Sequence, residues 1–265
     1  MLLCVVVGWV HGVTQLHNIV YIVCDRSSEI IRFDAVTHRR LADITVEDMT
    51  GPWDIAACQQ TAQLYVADLF ACVWRVSSDG EDVERWLPKS PSDTIRPRTL
   101  SVTSSRLLVT SLGDTNQLIQ FDAVGDELSR VDLRRGMSPL HAVVSLTGTF
   151  IVSHSDTQLE QYQLQVSEVN TGGQVLRQFS GSRLLPLGFT THVAVDSQGN
   201  IFVADRGAGH ILMLNSELTL RRVIIDEHQL NYKEPFRLCY NEQSGQLLVG
   251  FFHSDGVAVF DVLRR

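Results

Sequence analysis

Six short apolar runs, each ending at a polar turn, recur along the 265-residue chain: 21–25, 65–68, 108–111, 151–154, 202–205 and 248–251. Their last residues lie 43, 43, 43, 51 and 46 positions apart. Self-similarity at this period marks a repeat architecture, whose units bury their apolar faces only against one another. A second apolar-rich stretch follows each run, at 30–33, 73–76, 118–121, 159–162, 211–214 and 257–260. The residues between them are turn formers, such as Asp25-Arg-Ser-Ser28 and Asp205-Arg-Gly-Ala-Gly209, so each pair reads as a hairpin. A further short strand precedes five of the runs, as at 53–57, 98–102 and 192–195. A more polar one follows them, as at 40–44, 83–86 and 175–179.

Four strands in each of six units predict an all-β fold, a six-bladed β-propeller of four-stranded antiparallel blades, in which radial repetition protects the sheet edges. One domain then spans 1–265, with blades near 8–46, 51–88, 96–134, 139–180, 190–226 and 235–262. The last unit stops after its third strand, and the apolar stretch 2–7 is assigned as the strand that closes the ring. The competing reading of residues 1–10 is a secretory signal, which would place the protein outside the cell. Against it, the stretch has no basic n-region and no small-x-small cleavage site.

A formal net charge of -8 opposes nucleic acid and anionic membrane and favours protein or peptide partners. Cys4, Cys24, Cys58, Cys72 and Cys239 form no C-x-x-C pair, which suits reduced thiols and a cytoplasmic location. A monomer is expected.

The fifth unit, Thr191-His-Val-Ala-Val-Asp-Ser-Gln-Gly-Asn-Ile-Phe-Val-Ala-Asp-Arg-Gly-Ala-Gly-His-Ile-Leu-Met-Leu214, resembles an NHL repeat, and Leu64-Tyr-Val-Ala-Asp68 carries part of the same pattern. The resemblance implies six blades. It also implies a substrate- or RNA-binding module of the kind found in tripartite-motif ubiquitin ligases and related scaffolds. The sequence holds no RING, B-box or heptad segment of its own.

Strand direction puts the b-to-c and d-to-a connections on one face of the disc. The longest of them, 87–96, 181–189 and 226–234, make that face the expected binding surface. Aligning the starts of the first strands gives a ring at the channel mouth: His11, Asp54, Thr99, His141, His192 and Arg237. His11, His141 and His192 are the candidate ligands for zinc or another divalent metal. A resemblance to peptidyl-hydroxyglycine amidating lyase, a six-bladed enzyme with histidines holding a metal in its channel, would make the protein a metal-dependent lyase or hydrolase. The alternative is a hydrogen-bonded polar lining with no cofactor and no catalysis, and this is the preferred reading. Asp25, Asp68 and Asp205 recur one per unit at a turn and are expected to cap backbone N–H groups. Trp53, Trp74 and Trp86 are expected to pack between blades. Arg96, Arg98 and Arg183 form the only candidate phosphate surface, and with it the RNA-binding alternative. P-loop, zincin and nucleophile-elbow motifs are absent from the sequence.

Overall fold

The chain's structure is a computed structural model describing residues 2–5, 8–69, 72–88, 95–111, 116–156, 163–181, 190–254 and 256–262. Among these residues there is no helix, and the strands form six antiparallel sheets of four. From innermost strand a to outermost strand d, blade 1 comprises Val10–Leu16, Ile19–Cys24, Glu29–Asp34 and Ile44–Thr45. Blade 2 comprises Pro52–Cys58, Gln63–Asp68, Cys72–Ser77 and Val83–Leu87, and blade 3 Pro97–Thr103, Arg106–Ser111, Gln117–Phe121 and Glu127–Asp132. Blade 4 comprises Met137–Val144, Phe150–Asp156, Gln163–Val169 and Val175–Phe179, and blade 5 Thr190–Val195, Ile201–Asp205, His210–Leu214 and Leu220–Ile225. Blade 6 comprises Pro235–Asn241, Gln246–Phe251 and Gly256–Asp261, and its fourth strand is Leu2–Val5. That strand runs antiparallel to Gly256–Asp261 with Cys4 opposite Val257, which closes the ring as the sequence suggests.

Two strands differ from the sequence reading. The third strand of blade 4 is Gln163–Val169, and the expected stretch 159–162 lies outside the described residues. The outer strand of blade 1 is only Ile44–Thr45, with an isolated bridge from Phe33 to Arg40. The Arg40 guanidinium is turned to Asp43 instead of continuing an edge.

The core is divided into six apolar clusters, one in each gap between successive blades. Ile22 and Val13 of blade 1 meet Leu248 and Val257 of blade 6, for example, and Val193 and Leu212 of blade 5 meet Ile151 and Val166 of blade 4. A blade has two buried faces, so its central strands are apolar at successive positions. Ile201–Asp205 is buried at every residue. Turns are set by a repeated device. Asp122, Asn170, Asp196 and Asn215 each accept from the backbone N–H groups two and four residues later, which satisfies the turn where the ladder stops.

Every strand a carries a β-bulge at the same place. The register slips between Val10 and Gly12, Pro52 and Asp54, Pro97 and Thr99, Pro139 and His141, Thr190 and His192, and Pro235 and Arg237. Prolines open three of these strands, at Pro52, Pro97 and Pro235, and Pro139 holds the same register position two residues into a fourth. An innermost strand is a sheet edge, where a missing N–H is tolerated. The bulge twists the chain so that the residue after it points across to the next blade.

Candidate functional site

The bulge register defines the ring at the channel mouth and corrects one of its members. Gly12, not His11, is the counterpart of Asp54, Thr99, His141, His192 and Arg237; His11 is the bulged residue itself, equivalent to Trp53 and Phe236. A Cβ on Gly12 would lie 2.7 Å from the Ile55 nitrogen, so blade 1 approaches blade 2 here through bare backbone. The same one-residue offset removes Asp25 from the set of turn carboxylates. Cys24 is the counterpart of Asp68 and Asp205.

The ring residues are inter-blade staples. Strand a presents unpaired backbone groups along the channel edge, and each ring side chain serves those of a following blade. Asp54 Oδ2 accepts from Leu100 N at 2.9 Å, and Thr99 Oγ1 donates to Leu140 O at 3.0 Å. His141 Nδ1 accepts from Val193 N, and His192 Nδ1 from Leu238 N, each at 3.4 Å. Arg237 Nε donates to His11 O at 2.5 Å, and its Nη2 reaches past Gly12 to Trp53 O at 3.0 Å. A second tier lies above. His11 Nδ1 donates to Pro52 O and Arg98 Nη1 to Pro139 O, both at 3.0 Å.

All five ring side chains are buried. Burial pushes Asp54 up to about 6, against the opposing pull of the Arg237 guanidinium, 3.6 Å from Oδ1, and of the Leu100 N–H. Burial also drives His141 down to about 3, assisted by Arg237. His192 is held well below its ordinary value by burial first and then by His141, whose ring stacks on it at 3.5 Å between centroids. Both imidazoles are therefore neutral at physiological pH. Arg237, brought down to about 10 by its own burial, remains a cation.

Asp54, His141 and His192 bring one donor atom each within 4.8 Å of one another. Their hydrogen bonds do not suit a metal. Because Nδ1 of both histidines accepts a backbone N–H, the proton sits on Nε2. In His141 that Nε2–H faces Leu100 O at 3.3 Å. A metal on Nε2 would move the proton to Nδ1, where it would meet the N–H of Val193 or Leu238 donor to donor. The Arg237 charge beside the same carboxylate oxygen opposes a cation further. The expected triad of His11, His141 and His192 is not brought together, since the His11 side chain turns to Pro52 O and to Asp25.

Below the ring, the channel opens towards the a-to-b hairpins as a cavity of about 290 Å³ lined by residues including Thr14, Ser101, His141, His192 and Cys239. Above it, on the opposite face, aromatic side chains form a crescent. Trp9 stacks on His253 (4.0 Å), His253 on Phe252 (3.8 Å), and Phe252 meets Phe236 (5.2 Å). Phe236 then meets Trp53 edge-on at 6.2 Å, and Trp53 meets His11 at 4.5 Å. Trp9 is 45% exposed, while Trp53 and Phe252 are half-buried. Trp86 packs between blades as expected and Trp74 lies partly buried against another blade gap, but Trp53 belongs to this mouth. Sequence reasoning missed the crescent because only His11, Trp53 and Phe236 share a position, the bulge of three blades, while Trp9, Phe252 and His253 come from turns with no shared spacing.

The remaining candidates fall into place singly. Asp205 accepts from Ala208 N in its own b-to-c turn, while the Asp68 carboxylate accepts from Thr50 N, ahead of strand a, and from the Trp74 indole. Arg98 turns inward to Pro139 O and Arg96 is exposed, while Arg183 lies outside the described residues.

No protein-family model matches the chain, and no curated protein does. Solved structures do. A gluconolactonase from Xanthomonas campestris superposes with a TM-score of 0.73 at 12% identity, covering 97% of this chain and 87% of that one. The WD40 propeller domain of Doa1 gives 0.65 at 14%, covering 99% and 97%, and the nidogen/laminin complex gives 0.67 at 13%, covering 87% and 84%. The set joins an enzyme to interaction domains, and at these identities the likeness establishes the six-bladed propeller fold alone.

Proposed function

We propose that this chain is a non-catalytic propeller that binds a protein or peptide on the face carrying the b-to-c and d-to-a connections. The observation that supports it is the aromatic crescent of Trp9, His253, Phe252, Phe236 and Trp53, part-exposed at the channel mouth. Rigid amphipathic rings bury much area at little entropic cost, which is why aromatic residues dominate interface energetics. The polar groups that a hydrolase or lyase would need at the channel centre are engaged in blade-to-blade hydrogen bonds, which favours binding over catalysis. The net charge of -8 and the inward turn of Arg98 disfavour an RNA-binding surface.

In this reading the NHL-like sequence of blades 2 and 5 groups the chain with interaction scaffolds, including those of ubiquitin-ligase-type assemblies. A monomer in a reducing, cytoplasmic setting suits Cys24, Cys58, Cys72 and Cys239, which are unbridged thiols. Among the described residues no helix is long and apolar enough to cross a membrane. The test is selection from a random-peptide display library on the immobilised protein, repeated with Trp9→Ala/Trp53→Ala. Peptides enriched on the natural protein and lost on the double variant are the expected result. Equal enrichment on both would remove the crescent as the binding surface.

A further inference from the structure

The crescent has a chemical bias. Its phenylalanine faces already hold cations belonging to the protein: the Arg206 guanidinium lies 3.4 Å over the Phe252 ring and that of Arg237 3.9 Å over Phe236. The two indoles, the strongest cation acceptors among aromatic side chains, stand at the ends of the arc; Arg237 also reaches over Trp53, at 5.7 Å, and Trp9 is the more exposed of the two. Between those ends lies Asp25. Its backbone N–H donates to Trp9 O at 2.9 Å, and its carboxylate faces the His11 ring that Trp53 packs against. That carboxylate is part-exposed. The His11 nitrogen and the Arg26 guanidinium beside it both stand off at 3.9 Å, beyond hydrogen-bonding distance. Burial keeps His11 below its ordinary pKa, so the ring does not supply a counter-charge. Of the two cations seated on the phenylalanines, Arg206 pairs with Glu234 at 2.7 Å and Arg237 with Asp54 at 3.6 Å.

We propose that the mouth seats a cationic side chain, an arginine or lysine of a partner peptide, against Trp9 and Trp53 with Asp25 as its counter-charge. The proposal rests on the peptide-binding reading above and narrows it to basic segments. Cation–π contact and a carboxylate partner act together on the same group, and the net charge of -8 steers basic segments towards the protein.

The test takes the peptides enriched by display and measures their affinity, alongside synthetic copies in which each Arg or Lys is replaced by Gln or Glu. Tryptophan fluorescence and indole N–H resonances serve as the readouts. The expected result is one basic anchor whose replacement by Gln weakens binding about tenfold and by Glu more. Asp25→Asn and Trp9→Ala should each cost a similar factor. Circular dichroism confirms that both surface variants keep the fold. Enriched peptides without a basic anchor, or affinities unchanged in Asp25→Asn, would overturn the cation site while leaving peptide binding in place. If no peptide is enriched and a single-stranded RNA oligonucleotide binds instead, both readings fall.

Discussion

Arg237 in the sixth blade donates to the carbonyl oxygen of Trp53 in the second, at 3.0 Å, across the side-chain-free position of Gly12 in the first. One guanidinium thus joins three blades, and it is the only cation touching the buried Asp54 among the described residues.

Removing that guanidinium leaves a buried carboxylate without its counter-ion and two backbone carbonyls without their donor. Arg237→Ala should lower unfolding free energy by about 3–5 kcal/mol, the usual cost of breaking a buried charge pair. Arg237→Lys should recover only part, because an ammonium cannot serve His11 O and Trp53 O in the fixed fork geometry of arginine. Urea denaturation of the three proteins measures both.

Gly12→Ala places a methyl group 2.7 Å from the backbone nitrogen of Ile55, which has no rotamer through which to yield. A loss of roughly 1–3 kcal/mol is expected from overpacking. Gly172→Ala is the control, since the nearest atom to its added carbon is a side-chain oxygen at 3.4 Å. Its effect should stay within about 0.5 kcal/mol.

His141 and His154 titrate near 3 and 4 in the folded protein, mainly through burial, while unfolded histidine titrates at 6.5. Below 6.5 the unfolded chain binds protons that the folded one refuses, so stability is full above that pH and falls as the solution is acidified. Asp54 acts in the opposite direction: raised to about 6, it adds stability at low pH that is lost as pH rises through that value. His11 and His192 are lowered by burial as well, so the depressed histidines outnumber the one raised carboxylate and leave a net decline from pH 6.5 downward, each unmatched proton contributing about 1.4 kcal/mol per pH unit. His141→Gln should flatten the decline by close to one proton. Denaturant midpoints at pH 7, 6 and 5 give the slope.

Strand Leu2–Val5 covers the outer edge of Gly256–Asp261. A chain lacking residues 1–7 would present that edge unpaired, a template for association with other strands. The expected outcome is a lower thermal midpoint together with concentration-dependent oligomers in light scattering. A truncated chain that stays monomeric with an unchanged midpoint would show that closure contributes little.

Much of the fold was legible because blade burial imposes it. Runs such as Phe202–Asp205 must be apolar on both faces, and their recurrence survives even where the sequence pattern has decayed. The site was harder to read, for a reason visible in blade 1. The apolar runs align at the turns, and there a single residue of slippage moved the reading from Cys24 to Asp25 and from Gly12 to His11. Pro-x-Asp54, Pro-x-Thr99, Pro-x-His141 and Pro-x-Arg237 mark the bulge directly and would have fixed the register. Trp53 and Phe236 are the middle residues of two of these triplets, but Trp9 and Phe252 carry no such mark and join them only through ring closure.

The staples around the channel are chemically unlike: a carboxylate, a hydroxyl, two imidazoles, a guanidinium and a bare glycine. Blades 2, 4 and 5 accept a backbone N–H of the next blade, blades 3 and 6 donate to carbonyls, and blade 1 offers only hydrogen, so exchanging an accepting blade for a donating one would put donors against donors. Units that share one shape have become non-interchangeable parts.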